Sequence, residues 1–170
     1  IVALTTAQVR FGLTTAQVAA LGTDQVAALE TEDIASLATG RIAALTTTQI
    51  AMGVTTEQIA ALGTAQVASL TTRQISQGLT TDHIVALGSD QLLALSTLQF
   101  VAFTTDQLLA IETADLAVLK TAQLAALTTT QLSLGLNTDQ IVALTTLQVA
   151  ALRTAQLAAM GTDQIAALET

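Results

Sequence analysis

The chain of 170 residues is half hydrophobic, yet it has no Trp, Tyr, Pro or Cys and only three Phe, so any core is built thinly from Ala, Leu, Ile and Val. A net charge of −8, with Arg10, Arg41, Arg73, Lys120 and Arg153 scattered singly, speaks against nucleic acid as a partner and makes anionic membrane a poor one, because phosphate binding draws on basic groups. The lack of cysteine excludes a disulfide framework or thiolate metal site, and no run approaches the roughly 18–20 apolar residues of a membrane span.

The whole chain, residues 1–170, reads as one continuous array of octapeptides, expected to be a fragment of a longer array. The unit is Leu-x-Thr-x-Gln-(Val/Ile/Leu)-Ala-Ala, as in Leu21 to Ala28. The Leu column runs from Leu4 to Leu168, with Val54, Phe103, Ile111 and Met160 as substitutes. The Thr column runs from Thr6 to Thr170 and departs only at Ser89, which keeps the hydroxyl. The Gln column is interrupted at Asp33, Arg41, His83 and Asp115, and the aliphatic column after it is never polar. Gly12, Gly53, Gly78 and Gly135 each add one residue before the next octad and divide the array into blocks of five, three and seven repeats between them. Because glycine tolerates positive φ, these insertions are expected to open a turn by one residue.

Each octad predicts one short helix. Gln, Ala and Leu favour helix, and the aliphatic residue and the next Leu, such as Val26 and Leu29, stand three apart and share a helical face. A continuous helix is excluded because eight residues advance about 80° past two turns, so a fixed apolar stripe would wind around the axis. The persistent Thr is expected to supply the break, as an N-cap or by bonding a neighbouring coil, and Thr5-Thr6-Ala7-Gln8 also spells a capping box. Acidic residues such as Asp24, Glu32, Glu57, Asp82, Asp90, Asp106, Asp139 and Asp163 then fall in the first turn, where the helix dipole favours them. The resulting fold is all-α, a tightly wound α-solenoid of short helices. A β-solenoid with Thr and Gln ladders is the alternative, supported by the β-branched columns and opposed by paired Ala. One octad cannot bury its own apolar face, so the repeats must stack, and inward Gln amides are expected to cross-link adjacent coils.

No catalytic, cofactor or metal site is expected. His83, the sole histidine, has no second ligand and stands as a Gln substitute; Asp33 and Arg41, in consecutive octads, are expected to pair; Asp115 is expected to be solvated. Phe11, Phe100 and Phe103 are expected to plug the core. The many hydroxyls have no general base beside them, so the chain is not expected to be an enzyme.

The phrase Leu-Thr-Thr-Ala-Gln-Val-Ala-Ala-Leu at 13–21 resembles octapeptide tracts of very large bacterial adhesins and haem-utilisation or adhesion proteins. The resemblance covers the whole chain and implies a spacer that is secreted or on the bacterial cell surface; it transfers no binding residue. The function expected is therefore an elongated spacer, fibre or adhesin stalk, with end-to-end self-association. An ice- or carbohydrate-binding threonine surface is the alternative.

Overall fold

The computed structural model describes residues 5–168, so Leu4 and Thr170, where the Leu and Thr columns were traced to the chain's edges, lie outside the described residues. Every octad within this range forms one short helix, and no strand occurs among the described residues, which sets the β-solenoid aside.

The chain falls into two compact units, Ile1–Leu87 and Gly88–Thr170. The first contains α1 Thr6–Gly12, α2 Thr15–Ala19, α3 Thr23–Ala27, α4 Thr31–Ser36, α5 Thr39–Ile42, α6 Thr47–Gly53, α7 Thr56–Ala61, α8 Thr64–Ala68, α9 Thr72–Gly78 and α10 Thr81–Ala86. The second contains α11 Ser89–Ala94, α12 Thr97–Val101, α13 Thr105–Leu109, α14 Thr113–Val118, α15 Thr121–Ala126, α16 Thr129–Gly135, α17 Thr138–Val142, α18 Thr146–Ala150, α19 Thr154–Ala159 and α20 Thr162–Ala167.

Within each unit a helix packs on the helix three octads later. In the first the stacks are α1–α4–α7–α10, α2–α5–α8 and α3–α6–α9; in the second, α11–α14–α17–α20, α12–α15–α18 and α13–α16–α19. One coil therefore consists of three octads and has three helical sides. Each unit is a short α-solenoid.

The corner between helices is two extended residues. After α4, Leu37 has φ −62° and ψ 138°, and Ala38 has φ −65° and ψ 149°, before Thr39 begins the next helix. The Leu column thus turns the corner while its side chain points inward. The aliphatic column supplies the rest of the core: Val26, Ile34, Ile50, Ile75, Leu92, Leu108 and Leu124 are all buried, alongside corner residues Leu37, Leu62, Leu87 and Leu127. Burying such a side chain contributes about 1.5–3 kcal/mol, and no octad achieves it without a neighbouring coil.

The inserted glycines do not open a turn. No glycine among the described residues has positive φ. Gly12, Gly53, Gly78 and Gly135 instead lengthen α1, α6, α9 and α16 to seven residues and occupy their last position. Three of them sit at a close helix approach, and at Gly53 the approach leaves no room for a Cβ. A Cβ on Gly53 would lie 2.8 Å from the Thr23 carbonyl oxygen, one on Gly78 3.2 Å from Ile50 Cβ, and one on Gly135 3.0 Å from Leu108 Cδ1. Gly12 meets nothing within 4 Å.

Candidate functional site: the glutamine corners

The recurrent polar feature of the molecule is the corner, where the Gln column is the third residue of each helix. These helices have four to seven residues, so almost every backbone group in them lies at a terminus, with an N–H or a carbonyl that the helix itself cannot pair. Glutamine resolves both ends. Gln58 Oε1 accepts the backbone N–H of Thr55, its own N-cap residue, at 3.0 Å, while Nε2 donates to the Val26 carbonyl at 3.0 Å and the Leu29 carbonyl at 2.6 Å. The first bond begins its helix; the other two close the end of a helix in the coil beneath.

The same triple engagement recurs through both units. Gln66 reaches Ile34 and Leu37, Gln74 reaches Ile42 and Leu45, Gln140 reaches Leu108 and Ile111, and Gln148 reaches Leu116 and Leu119. The carbonyls lie 28–32 residues back in sequence, one coil of three octads plus the step back to the corner that precedes the stacked helix. The amides are buried: Gln58, Gln123, Gln140 and Gln156 are 1–2 % exposed. The expected cross-links between coils are therefore present, and each of these amides accepts a backbone N–H and donates through both of its own N–H groups.

The cap is not the strict threonine. The Thr column sits at the first helical position, and the N-cap is the variable residue before it. Where that residue is Thr, Ser or Asn, its side chain accepts the N–H of the third residue and completes a reciprocal capping box, as at Thr46 with Gln49, Ser96 with Gln99 and Asn137 with Gln140. Where it is Gly22, Gly63, Lys120 or Arg153, only the glutamine half of the box forms. Sequence spacing placed the cap one residue too late because the strict column, rather than the variable one, drew the assignment.

Departures from Gln separate its two roles. Arg41 donates through Nε to the Leu13 carbonyl and through Nη1 to the Arg10 carbonyl, the coil-bridging role without the capping one. It does not pair with Asp33, because consecutive octads lie on adjacent sides of the coil and do not stack; Asp33 is buried on α4. Asp115 is not simply solvated: the Ser89 hydroxyl, on the helix beneath, donates to its Oδ1. This contact was not legible in sequence, although Ser89 is the one non-Thr of its column and lies about one coil before Asp115.

His83 reproduces glutamine on a ring. Its Nδ1 accepts the Thr80 N–H at 3.2 Å and its Nε2 lies 2.9 Å from the Val54 carbonyl, which fixes the proton on Nε2. Burial depresses its pKa, against the opposing pulls of the Val54 carbonyl and Asp82. Glu57 has its carboxyl held below its ordinary range by its own backbone N–H and by the Thr55 hydroxyl.

The basic side chains are committed within the chain. Lys120 Nζ donates to the Leu93 carbonyl at 2.7 Å and Arg153 Nη2 to the Leu127 carbonyl at 3.0 Å, both on the coil beneath. Arg73 bonds Gln77, and the Arg10 guanidinium lies 5.0 Å from the Phe11 ring centroid. Phe100 and Phe103 are core residues in edge-to-face contact at 5.2 Å. Phe11, by contrast, is 74 % exposed and plugs nothing, because it stands directly before an inserted glycine on the outward side of its helix, as the exposed Met52 and Leu134 do. A surface groove of about 600 Å³ beside Arg10, Phe11 and Arg41 is lined by no carboxylate or histidine. Among the described residues no group of three His, Cys, Asp or Glu side chains is placed to hold a metal ion, and no helix is long and apolar enough to cross a membrane.

One short helix per octad, stacked three to a coil and stitched at most corners by a buried Gln amide, defines a helical repeat protein. The chain belongs to the ALTTAQ repeat family, whose model matches residues 1–31, 26–64, 108–146 and 142–170. The stretch 65–107 between those matches carries the same octads. No curated protein matches the chain.

Proposed function

We propose that this is a non-catalytic structural protein: an elongated spacer or stalk of a secreted or bacterial cell-surface protein of the adhesin kind. The observation that carries the reading is the commitment of the repeated polar side chain to cohesion. At the complete corners the Gln amide spends its acceptor on its own helix and its donors on the coil before. The repeat's polar chemistry thereby goes into holding coils together. The basic side chains are likewise tied to backbone or to neighbours, which supports the exclusion of nucleic acid.

The bonding pattern is also directional. Each coil gives donors to the coil before it and carbonyls to the coil after it, so further octads extend the array by repeating one set of bonds. End-to-end self-association of copies belongs to the same reading. Packed helices sit about 8–10 Å apart, so each added coil of three octads should lengthen the particle by that amount. Small-angle scattering on this chain and on a version extended by three coils tests the proposal: the maximum dimension should grow by about 24–30 Å. A dimension that grows only as the cube root of mass, as for a sphere, would overturn the spacer reading.

A further inference from the structure

The one ring in the Gln column gives the first unit a property that glutamine lacks. At the corner between α9 and α10, His83 is 4 % exposed and makes three bonds: its own N–H donates to the Thr80 hydroxyl, its Nδ1 receives the Thr80 N–H, and its Nε2 faces the Val54 carbonyl at the end of α6. A glutamine amide keeps one acceptor and two donors at every ordinary pH. An imidazole keeps its acceptor only while neutral, because both ring nitrogens become donors in the protonated form. A proton on Nδ1 would point at the Thr80 N–H from 3.2 Å and lose that bond.

We infer that His83 is a pH-sensitive latch on the start of α10: neutral, its ring holds the Thr80 N–H and ties that corner to the Val54 carbonyl, and protonated, it releases the Thr80 N–H and keeps only the bond to Val54. Of the helices meeting there, α6 carries no charged side chain, α7 carries Glu57, α9 carries Arg73 and α10 carries Asp82, and these three charged groups are exposed. None of them offers a buried counter-charge to an imidazolium. Burial of the ring works in the same direction, favouring the neutral form.

The sign follows from linkage. The unfolded chain holds an ordinary histidine, with a pKa of about 6.5, whereas the folded value lies lower. Stability from this corner is complete above about pH 6.5 and is lost as pH falls below it, by up to tenfold in the folding equilibrium per pH unit for one proton. His83 is the only histidine, and carboxylates ordinarily titrate near 4, so a window from pH 7.5 to 5.5 isolates it.

The test is backbone amide exchange by NMR, corrected for intrinsic rates, comparing Thr80 with Thr71, whose N–H is held at 2.7 Å by Gln74 Oε1 in the preceding octad. In the unaltered chain, protection at Thr80 should fall by up to tenfold between pH 6.5 and 5.5 while Thr71 holds. His83→Gln restores the column residue and should make the two amides behave alike; adding Gln74→His to that variant should place the sensitivity at Thr71 instead. Parallel loss at both amides in the unaltered chain, or unchanged sensitivity of Thr80 in H83Q, would overturn the latch. The comparison within the unaltered chain remains decisive if a variant fails to fold.

Discussion

At the scale of single residues, backbone proximity decides what sequence statistics leave open. Gly53 and Gly12 have the same sequence role, each inserting one residue after an octad, yet only Gly53 faces another helix closely enough to exclude a Cβ, at 2.8 Å from a carbonyl oxygen. Gly53→Ala is therefore expected to destabilise the protein by about 1–3 kcal/mol, the usual range for overpacking. Gly40 lies in the interior of α5 with nothing within 4 Å; Gly40→Ala should gain about 0.5–1 kcal/mol, since Ala is the better helix former. Chemical denaturation of the two variants beside the parent checks both signs. Equal effects would mean that close approach is not the reason for glycine at position 53. Sequence located Gly12 and Gly53 but assigned them to a turn, because an insertion in a repeat looks the same whether it adds a loop residue or a helical one.

At the scale of the element, one helix per octad was legible and the identity of its cap was not. The helix followed from the spacing of Val26 and Leu29 and from the failure of an eight-residue period to match a continuous helix. The cap is decided by where φ and ψ leave the helical region, at Thr128 for α16, where φ is −72° and ψ is 162°. Thr128 accepts the Gln131 N–H, while Thr129 is the first helical residue. Both threonines are exposed, so the two substitutions separate capping from burial. Thr128→Ala should cost about 0.5–2 kcal/mol, and Thr129→Ala, in the stricter column, within about 0.5 kcal/mol. Thermal denaturation distinguishes them; the larger loss at Thr129 would reinstate the strict column as the cap. The number of octads per coil was also unread, because near-identical repeats satisfy the column pattern for any number. A weak signal existed: Glu32, Glu57 and Asp82, 25 residues apart, lie on the mutually stacked α4, α7 and α10.

At the scale of the whole molecule, the coil rather than the residue is the unit of cohesion within each compact unit. Gln58, Gln66 and Gln74 belong to the coil α7–α9, and together they donate to the carbonyls of Val26, Leu29, Ile34, Leu37, Ile42 and Leu45 beneath it. Leucine at all three positions keeps an apolar side chain but supplies no donor, so buried carbonyls lose their partners. At about 0.5–1.5 kcal/mol for each hydrogen bond, the triple Gln→Leu change removes on the order of 3–9 kcal/mol, comparable with the 5–15 kcal/mol that holds an ordinary domain folded. Because the bonds run between one pair of coils, the loss is concentrated at a single interface. In a repeat protein, where stability is approximately a sum of repeats and neighbour interfaces, weakening one interface should split the unfolding transition as well as lower it. Circular dichroism melts of the triple variant should then show a lower midpoint and a broader or two-step transition. A melt that matches the parent would mean that apolar burial alone holds the coils, and that the three amides stabilise neither the coil interface nor the starts of their own helices.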